Sequence, residues 1–275
     1  MSTMNPTVLN QPPPAETAAL PMTQARRAVL AVGVPLCLAL TAYTGLDLVA
    51  QIGQGHYGFS YAVPASARQV SVHSSGGDLA LRQVAGGQAS FAGTAHYSLV
   101  RPGISVRMAG GQASFGYGCP IPAGNCGLDA TIGVPAGTAV SLSSGGGGIS
   151  ATGITGAVEL STGGGDITAD RVTGALTLRT GGGSIQATAV ASVDVTAGSG
   201  GGDIEITFTR VPRDVQVSTG GGNITIIVPP GSASYHVAAS TGGGNTTDSV
   251  PINSSSPNAI TATSGGGDIT IRQAI

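Results

Sequence analysis

From residue 141 to the C-terminus, short runs of alternating apolar and polar residues recur on either side of a glycine cluster. The cluster reads Ser144-Gly-Gly-Gly-Gly-Ile149, Ser161-Thr-Gly-Gly-Gly-Asp-Ile167, Thr180-Gly-Gly-Gly-Ser-Ile185 and Ser199-Gly-Gly-Gly-Asp-Ile204. It continues as Thr219-Gly-Gly-Gly-Asn-Ile224, Thr241-Gly-Gly-Gly-Asn-Thr246 and Ser264-Gly-Gly-Gly-Asp-Ile269. The residue after the polar position recurs at spacings of 18, 18, 19, 20, 22 and 23. A degenerate copy, Ser75-Gly-Gly-Asp-Leu79, lies upstream. Before each cluster stand pairs such as Val158-Glu-Leu160, Leu176-Thr-Leu178 and Val215-Gln-Val217; after it stand Ile167-Thr-Ala169, Ile204-Glu-Ile206 and Ile269-Thr-Ile271.

Period-two patterning on both sides of a fixed turn predicts two short half-buried strands per repeat. A single repeat cannot bury its apolar face, so successive repeats must stack, which makes the chain an all-β solenoid with rungs of roughly 18–23 residues. At about 4.8 Å per rung, seven rungs give a rod on the order of 34 Å. Glycine suits the corner for two reasons: it adopts φ > 0, and it lets stacked backbones approach closely. The polar corner residues Asp78, Asp166, Ser184, Asp203, Asn223, Asn245 and Asp268 are expected to bond nearby backbone in a ladder along one edge, a structural role. Flexible Gly/Ser linkers would not carry registered β-branched flanks.

Residues 68–140 alternate less regularly, as in Gln69-Val-Ser-Val-His73 and Ile104-Ser-Val-Arg107, and are read as a β region that caps the stack. Residues 48–67 are read as a linker. Residues 1–25, rich in Pro, Ala and Thr, are read as a disordered cytosolic tail. Between them, Arg26-Arg27 precede Ala28 to Leu46, nineteen residues without charge that end at Asp47. As a helix this run would span roughly 28 Å, so 26–47 is expected to form one transmembrane helix preceding the solenoid. The paired arginines place the N-terminus in the cytoplasm and the C-terminal domain outside. A cleaved signal peptide is the competing reading, disfavoured by the long leading segment and by the lack of a small-x-small site.

Composition narrows the function. There are 46 Gly, no Trp and only 9% charged residues, against about 25% in soluble domains. The net charge of −2, with no Lys, leaves no basic footprint, so nucleic acid is not an expected partner. Cys119 and Cys126 bracket the loop Cys119-Pro-Ile-Pro-Ala-Gly-Asn-Cys126, a disulfide candidate on an oxidising side of the membrane. Such a loop closure contributes roughly 2.5 kcal/mol in the chain-entropy model. Unpaired thiols are the alternative.

Catalysis finds no foothold. Asp166, Asp203 and Asp268 share one repeat position, which argues for structure, and the four His residues are dispersed in sequence. No Gly-x-Ser-x-Gly elbow or phosphate loop ending in Lys is present. Calcium rolls need ligands about every nine residues, twice as often as here. No enzyme activity, cofactor or metal is therefore expected.

The phrase Ile132-Gly-Val-Pro-Ala-Gly-Thr138, then Val140-Ser-Leu-Ser-Ser144, then Gly153-Ile-Thr-Gly156 with Leu160-Ser-Thr-Gly163, resembles the bacterial "putative adhesin" domain family; the turn recurs as Ile227-Val-Pro-Pro-Gly231. The resemblance covers about residues 68–275. It implies a β-solenoid at the cell surface or envelope and supplies no catalytic residues. The expectation is thus a membrane-anchored, non-enzymatic envelope protein whose exported solenoid binds an envelope component or surface ligand, or gives structural support. A sensor relaying an external state to a cytosolic partner is the second reading, and self-association through the solenoid ends is a further one.

Overall fold

The computed structural model describes residues 32–37, 54–63, 67–98, 100–119 and 126–275. It divides into one unit over 1–46 and another over 47–275. In the first unit, residues 32–37 are helical. Among the described residues no helix is long and apolar enough to cross a membrane, so the expected transmembrane helix over 26–47 is not supported. Hydropathy records the transfer preference of side chains and does not by itself establish a continuous helix. The tail 1–25 and the remainder of the apolar run lie outside the described residues.

The second unit is built from two facing sheets of mostly parallel strands. Its rungs each contribute one strand to each sheet, joined in all but one of them by a glycine corner. In chain order they are β2 (Gln69–Ser74) with β3 (Leu79–Gln83), and β6 (Gln112–Tyr117) with β7 (Gly127–Val134). Next come β8 (Ala139–Ser144) with β9 (Ile149–Thr152), β10 (Val158–Thr162) with β11 (Ile167–Asp170), and β12 (Leu176–Thr180) with β13 (Ile185–Val190). The later rungs are β14 (Asp194–Ser199) with β15 (Ile204–Phe208), β16 (Asp214–Thr219) with β17 (Ile224–Val228), β18 (His236–Thr241) with β19 (Thr246–Ser249), and β20 (Ala259–Ser264) with β21 (Ile269–Gln273). Three antiparallel strands, β1 (Gln54–Val63), β4 (Ala89–Ser98) and β5 (Ile104–Ala109), extend one end of the stack.

Alternation decides what faces inward. Val158 and Leu160 lie in register with Leu176 and Leu178, and Ile167 and Ala169 with Ile185 and Ala187; all are buried. The register runs unbroken across residues 140 and 141, because β2 and β3 pair in parallel with β8 and β9. The copy at Ser75–Leu79 is therefore a full rung inside the stack. The segment read as a linker over 48–67 contains the ten-residue strand β1. Part of the growing repeat length is absorbed within β13, where a register irregularity between Ala187 and Val190 takes up one extra residue while Ile185 stays opposite Ile204.

Stacking order departs from chain order at both ends. The strand order in the first sheet is β1-β4-β7-β3-β9-β11-β13-β15-β17-β21-β19, and the second sheet matches it rung for rung. The rung of β6 and β7 thus lies outside the rung of β2 and β3. The C-terminal rung is inserted between β16/β17 and β18/β19. Burial explains the second exchange. Ile260, Ala262, Ile269 and Ile271 are fully buried and need neighbours on both sides, whereas β19 is exposed throughout and presents Thr246 and Asp248 opposite Ile269 and Ile271. A rung with an inward charge belongs at an end, where it also blunts the open edge.

At the corners, close approach outweighs backbone handedness. Among the cluster glycines only Gly77 has positive φ, at 92°. A Cβ on Gly163 or Gly165 would lie 2.2 Å from the carbonyl oxygen of Gly145 or Gly147 in the neighbouring rung, while one on Gly164 would meet nothing within 4 Å. The outer two glycines are required by stacking and the middle one is not. Gly165→Ala is therefore expected to destabilise the fold by about 3 kcal/mol or more, through overpacking against backbone. Gly164→Ala should stay within about 1 kcal/mol of wild type and can gain through lost unfolded-state entropy. Urea titrations of both variants, read by circular dichroism, check the contrast.

Candidate functional site: the corners and the polar outer faces

Two polar ladders run along the glycine corners, one inside and one outside. The inner ladder is made by the residue just before each cluster: Ser144, Thr162, Thr180, Ser199, Thr219, Ser264 and Thr241. Each hydroxyl donates to a corner glycine carbonyl of the adjacent rung, namely that of Gly77, Gly147, Gly165, Gly183, Gly202, Gly222 and Gly267, at 2.8–3.0 Å. Each also accepts the N–H of the last glycine of its own corner, except that Ser144 accepts from the third of four. All but Thr241 are buried. The hydroxyl satisfies an inter-rung carbonyl and an intra-corner N–H at once, so an apolar residue there would leave both without partners. Sequence reasoning overlooked this position. Its signal was present, because the residue before the first glycine is Ser or Thr in every full repeat.

The outer ladder contains the residues singled out in the sequence. In stacking order the positions are Asp129, Asp78, Gly148, Asp166, Ser184, Asp203, Asn223, Asp268 and Asn245. Asp129 Oδ1 accepts from the Asp78 N–H, Asp78 from Gly148, and Asp166 from Ser184. Asp203 accepts from Asn223, Asn223 from Asp268, and Asp268 from Asn245, all at 2.7–2.9 Å. From Asp78 onward no two carboxylates occupy neighbouring rungs. Neutral Gly148, Ser184 and Asn223 intervene, which avoids repulsion on the order of 1 kcal/mol per adjacent pair. Asp129 and Asp78 are the exception, and there His96 Nε2 lies 3.2 Å from Asp129 Oδ2. Asp129 was not singled out in the sequence, since no glycine cluster precedes it.

The structure also joins residues the sequence left apart. His56 and His96 face each other across β1 and β4, with ring centroids 6.4 Å apart. His73 and His236 lie on the other sheet. Among the described residues no three His, Cys, Asp or Glu side chains converge as a metal site would require. Cys119 and Cys126 form a disulfide with Sγ atoms 1.97 Å apart and Cα atoms 6.1 Å apart. It closes the loop between β6 and β7. Beside it, Tyr117 takes the slot in register with Ser74, and its hydroxyl donates to the His96 carbonyl at 2.8 Å. Desolvation by burial, with Tyr57 adding to it, raises the Tyr117 pKa from near 10 to about 12.

The broad outer faces are the surfaces left for recognition. On the second sheet, outward positions form rows of hydroxyls and amides. One runs Ser141, Glu159, Thr177, Thr196, Gln216, Thr261, and its neighbour Ser143, Ser161, Arg179, Gly198, Ser218, Thr263. Arg179 reaches back to Glu159 at 3.5 Å. Gly198 interrupts its row and floors an open groove of about 470 Å³, lined by Arg179, Thr196, Gln216, Ser218, Thr261 and Thr263. A Cβ at Gly198 would meet Ser218 Oγ at 3.6 Å, an ordinary contact, and its φ is not positive. Neither stacking nor backbone demands a glycine there, so the notch is a feature of the surface rather than of the fold.

Two measurements test these assignments. Thr180→Val, which strips partners from a buried carbonyl and N–H, is expected to cost about 1–3 kcal/mol, and Asp203→Ala, on the exposed ladder, about half that or less. Denaturant midpoints give the comparison. Because folding raises the Tyr117 pKa, its contribution to stability is complete below pH 10 and is lost as pH rises through about 12. An alkaline melting series should therefore show a fall in that window, and Tyr117→Phe should flatten it.

Solved structures that match this chain include a "putative cell adhesion protein" from Clostridium sporogenes, at 15% identity, covering 80% of this chain and 100% of that one with a TM-score of 0.39. Another is a "putative adhesin" from Bacteroides fragilis, at 16% identity, 79% and 97% coverage and a TM-score of 0.45. A third, from Parabacteroides distasonis and described in the same words, has 13% identity, 78% and 97% coverage and a TM-score of 0.41. No curated protein matches the chain. The model of the Toastrack family, DUF4097, matches residues 47–272, nearly the whole two-sheet stack, and the chain belongs to that family.

Proposed function

We propose that this Toastrack domain works as an exported, non-enzymatic interaction module of the bacterial envelope, with the outer face of its second sheet as the contact surface. The observation that carries the reading is the notch at Gly198 within rows made mostly of Ser, Thr and Gln, with Glu159 and Arg179 among them. A regular strand at mid-sheet disfavours glycine, which packs nothing and loses entropy on folding, by roughly 0.5–1 kcal/mol relative to Ala. Here no local constraint compensates for it. Hydroxyls and amides spaced about 4.8 Å apart along the stack suit a polar, repetitive partner such as a polysaccharide chain or another envelope strand. Arg179 at the rim adds affinity for a carboxylate on that partner.

Export is supported by the disulfide, since such bonds persist in oxidising compartments and are rare in the cytosol. The carboxylates of the outer ladder, at most one per rung and engaged with backbone, are spread along an edge rather than gathered into an acid–base pair.

Two experiments test the proposal. In intact cells, a C-terminal tag should be cleaved by added protease, and Cys119 and Cys126 should resist alkylation until reductant is added. A protected tag with both thiols labelled would point instead to an intracellular scaffold. Separately, Gly198→Gln, which fills the notch, should leave the melting midpoint close to wild type yet weaken binding to isolated envelope polysaccharide about tenfold. Unchanged binding would remove this face from consideration.

A further inference from the structure

Charge is distributed unevenly over the outer face of the second sheet. Toward its middle stand Glu159, paired with Arg179, and Asp194, paired with Arg213. At the other end, strands β5, β6, β2 and β8 contain no Asp or Glu. Arg107 and His73 stand exposed there at outward positions. Among the described residues Arg107 has no ion-pair partner.

These two side chains flank a second groove. Gly116 on β6 lies between Ser105 on β5 and His73 on β2, and Ser114 lies between Arg107 and Ser71. The missing side chain at Gly116 opens a hollow of about 390 Å³, lined by Ser71, His73, Ser105, Arg107, Ser114 and Ser143. A Cβ on Gly116 would meet the Ser105 hydroxyl at 2.6 Å but no backbone atom within 4 Å, and its φ is not positive. Rotation of that exposed hydroxyl would admit a side chain, so stacking does not demand this glycine as it does those of the corners. Ser71 donates to Ser114 Oγ at 2.9 Å, which leaves the Ser114 hydroxyl proton for a ligand.

We infer that this hollow is an anion subsite, holding a carboxylate of an acidic polysaccharide that lies along the stack. Arg107 supplies the charge and a planar fork of donors, and His73 and Ser114 add hydrogen bonds. The inference rests on the reading of this face as the contact surface and narrows its partner from a polar polymer to an acidic one. Two observations select that occupant. The first is continuity with the Gly198 notch. From Gly116 one outward row runs through His73, Ser143, Ser161 and Arg179 to Gly198. The two notches are thus five strand spacings apart, roughly 24 Å, and Arg107 and Arg179 are separated by the same number of strands. An extended polymer crossing the strands reaches both notches and meets an arginine at each. Arg179 shares its charge with Glu159, so Arg107 is the stronger anchor. The second observation is composition. Outward positions on β5, β6, β2 and β8 are Ser, Gln, Gly, Ala, His and Arg, without the Tyr, Trp, Phe or Met that a protein partner would bury.

Calorimetric titration of the full chain with polygalacturonate, and with dextran as a neutral polymer, tests the subsite. Polygalacturonate is expected to bind at least about tenfold more tightly than dextran, a preference that fades at high salt. Arg107→Gln should lose about that factor and His73→Gln less, with dextran binding and the melting midpoint unchanged in both. Both side chains are exposed and lie on different strands, so a folding defect in one variant leaves the other informative. Gly198→Gln reports on the face itself. Polygalacturonate binding that weakens in Gly198→Gln yet is unaltered in Arg107→Gln and His73→Gln overturns the subsite and leaves the contact face standing. Binding unaltered in all three overturns both. Polyphosphate bound as tightly as polygalacturonate, and lost equally in Arg107→Gln, overturns the carboxylate assignment in favour of a site for charge alone.

Discussion

Each corner of the stack rests directly on the carbonyl of the corner beneath it, at a separation that admits no Cβ, and the remaining architecture follows from that contact. It sets which glycines are obligatory and draws successive corners into register. It also leaves backbone N–H and C=O groups that neither sheet can pair. The buried Ser or Thr hydroxyl before each cluster answers one set, and the Asp or Asn after it answers another. The apolar ladder of Ile, Val, Leu and Ala supplies most of the driving force for stacking. The corners decide that the stack has one register, because a slip by one residue would turn every aliphatic side chain outward and strand the corner carbonyls together.

That division of labour bears on function. Inner positions answer to packing and corner positions to hydrogen bonding, so both are committed to the fold. The outward positions of the strands are the ones left open to vary. The notch at Gly198 stands among them, at a position where a Cβ would make only ordinary contacts and φ is not positive. The carboxylates most conspicuous in the sequence turn out to be least available for chemistry. Each has an oxygen held by the next rung, and their neighbours in space are mostly neutral.

Much of this was legible in the chain. The spacing of the clusters and the period-two flanks specify parallel stacked strand pairs, and Leu142, Leu160, Leu178, Val217 and Ala262, each three residues before a cluster, are buried as that pattern requires. The hydroxyl ladder was equally visible but easily passed over, because Ser and Thr beside glycine read as generic turn residues. The apolar run 28–46 shows the reverse: its length and lack of charge suggested a span, yet among the described residues no helix is long and apolar enough to cross a membrane.

What the sequence by itself determined is the rung, since alternation and glycine spacing are local properties that each repeat carries within itself. What only the tertiary structure decided is the order of the rungs. Asp268 comes last in the chain, yet its rung is inserted between those of Asn223 and Asn245, and β7 returns beside β3 from beyond the β4 and β5 excursion. Parallel pairing energies are nearly the same for any two neighbouring rungs, so local sequence cannot choose between them. The choice falls to burial. An end rung must tolerate water on its inner face, and Thr246 and Asp248 do so where Ile269 and Ile271 do not.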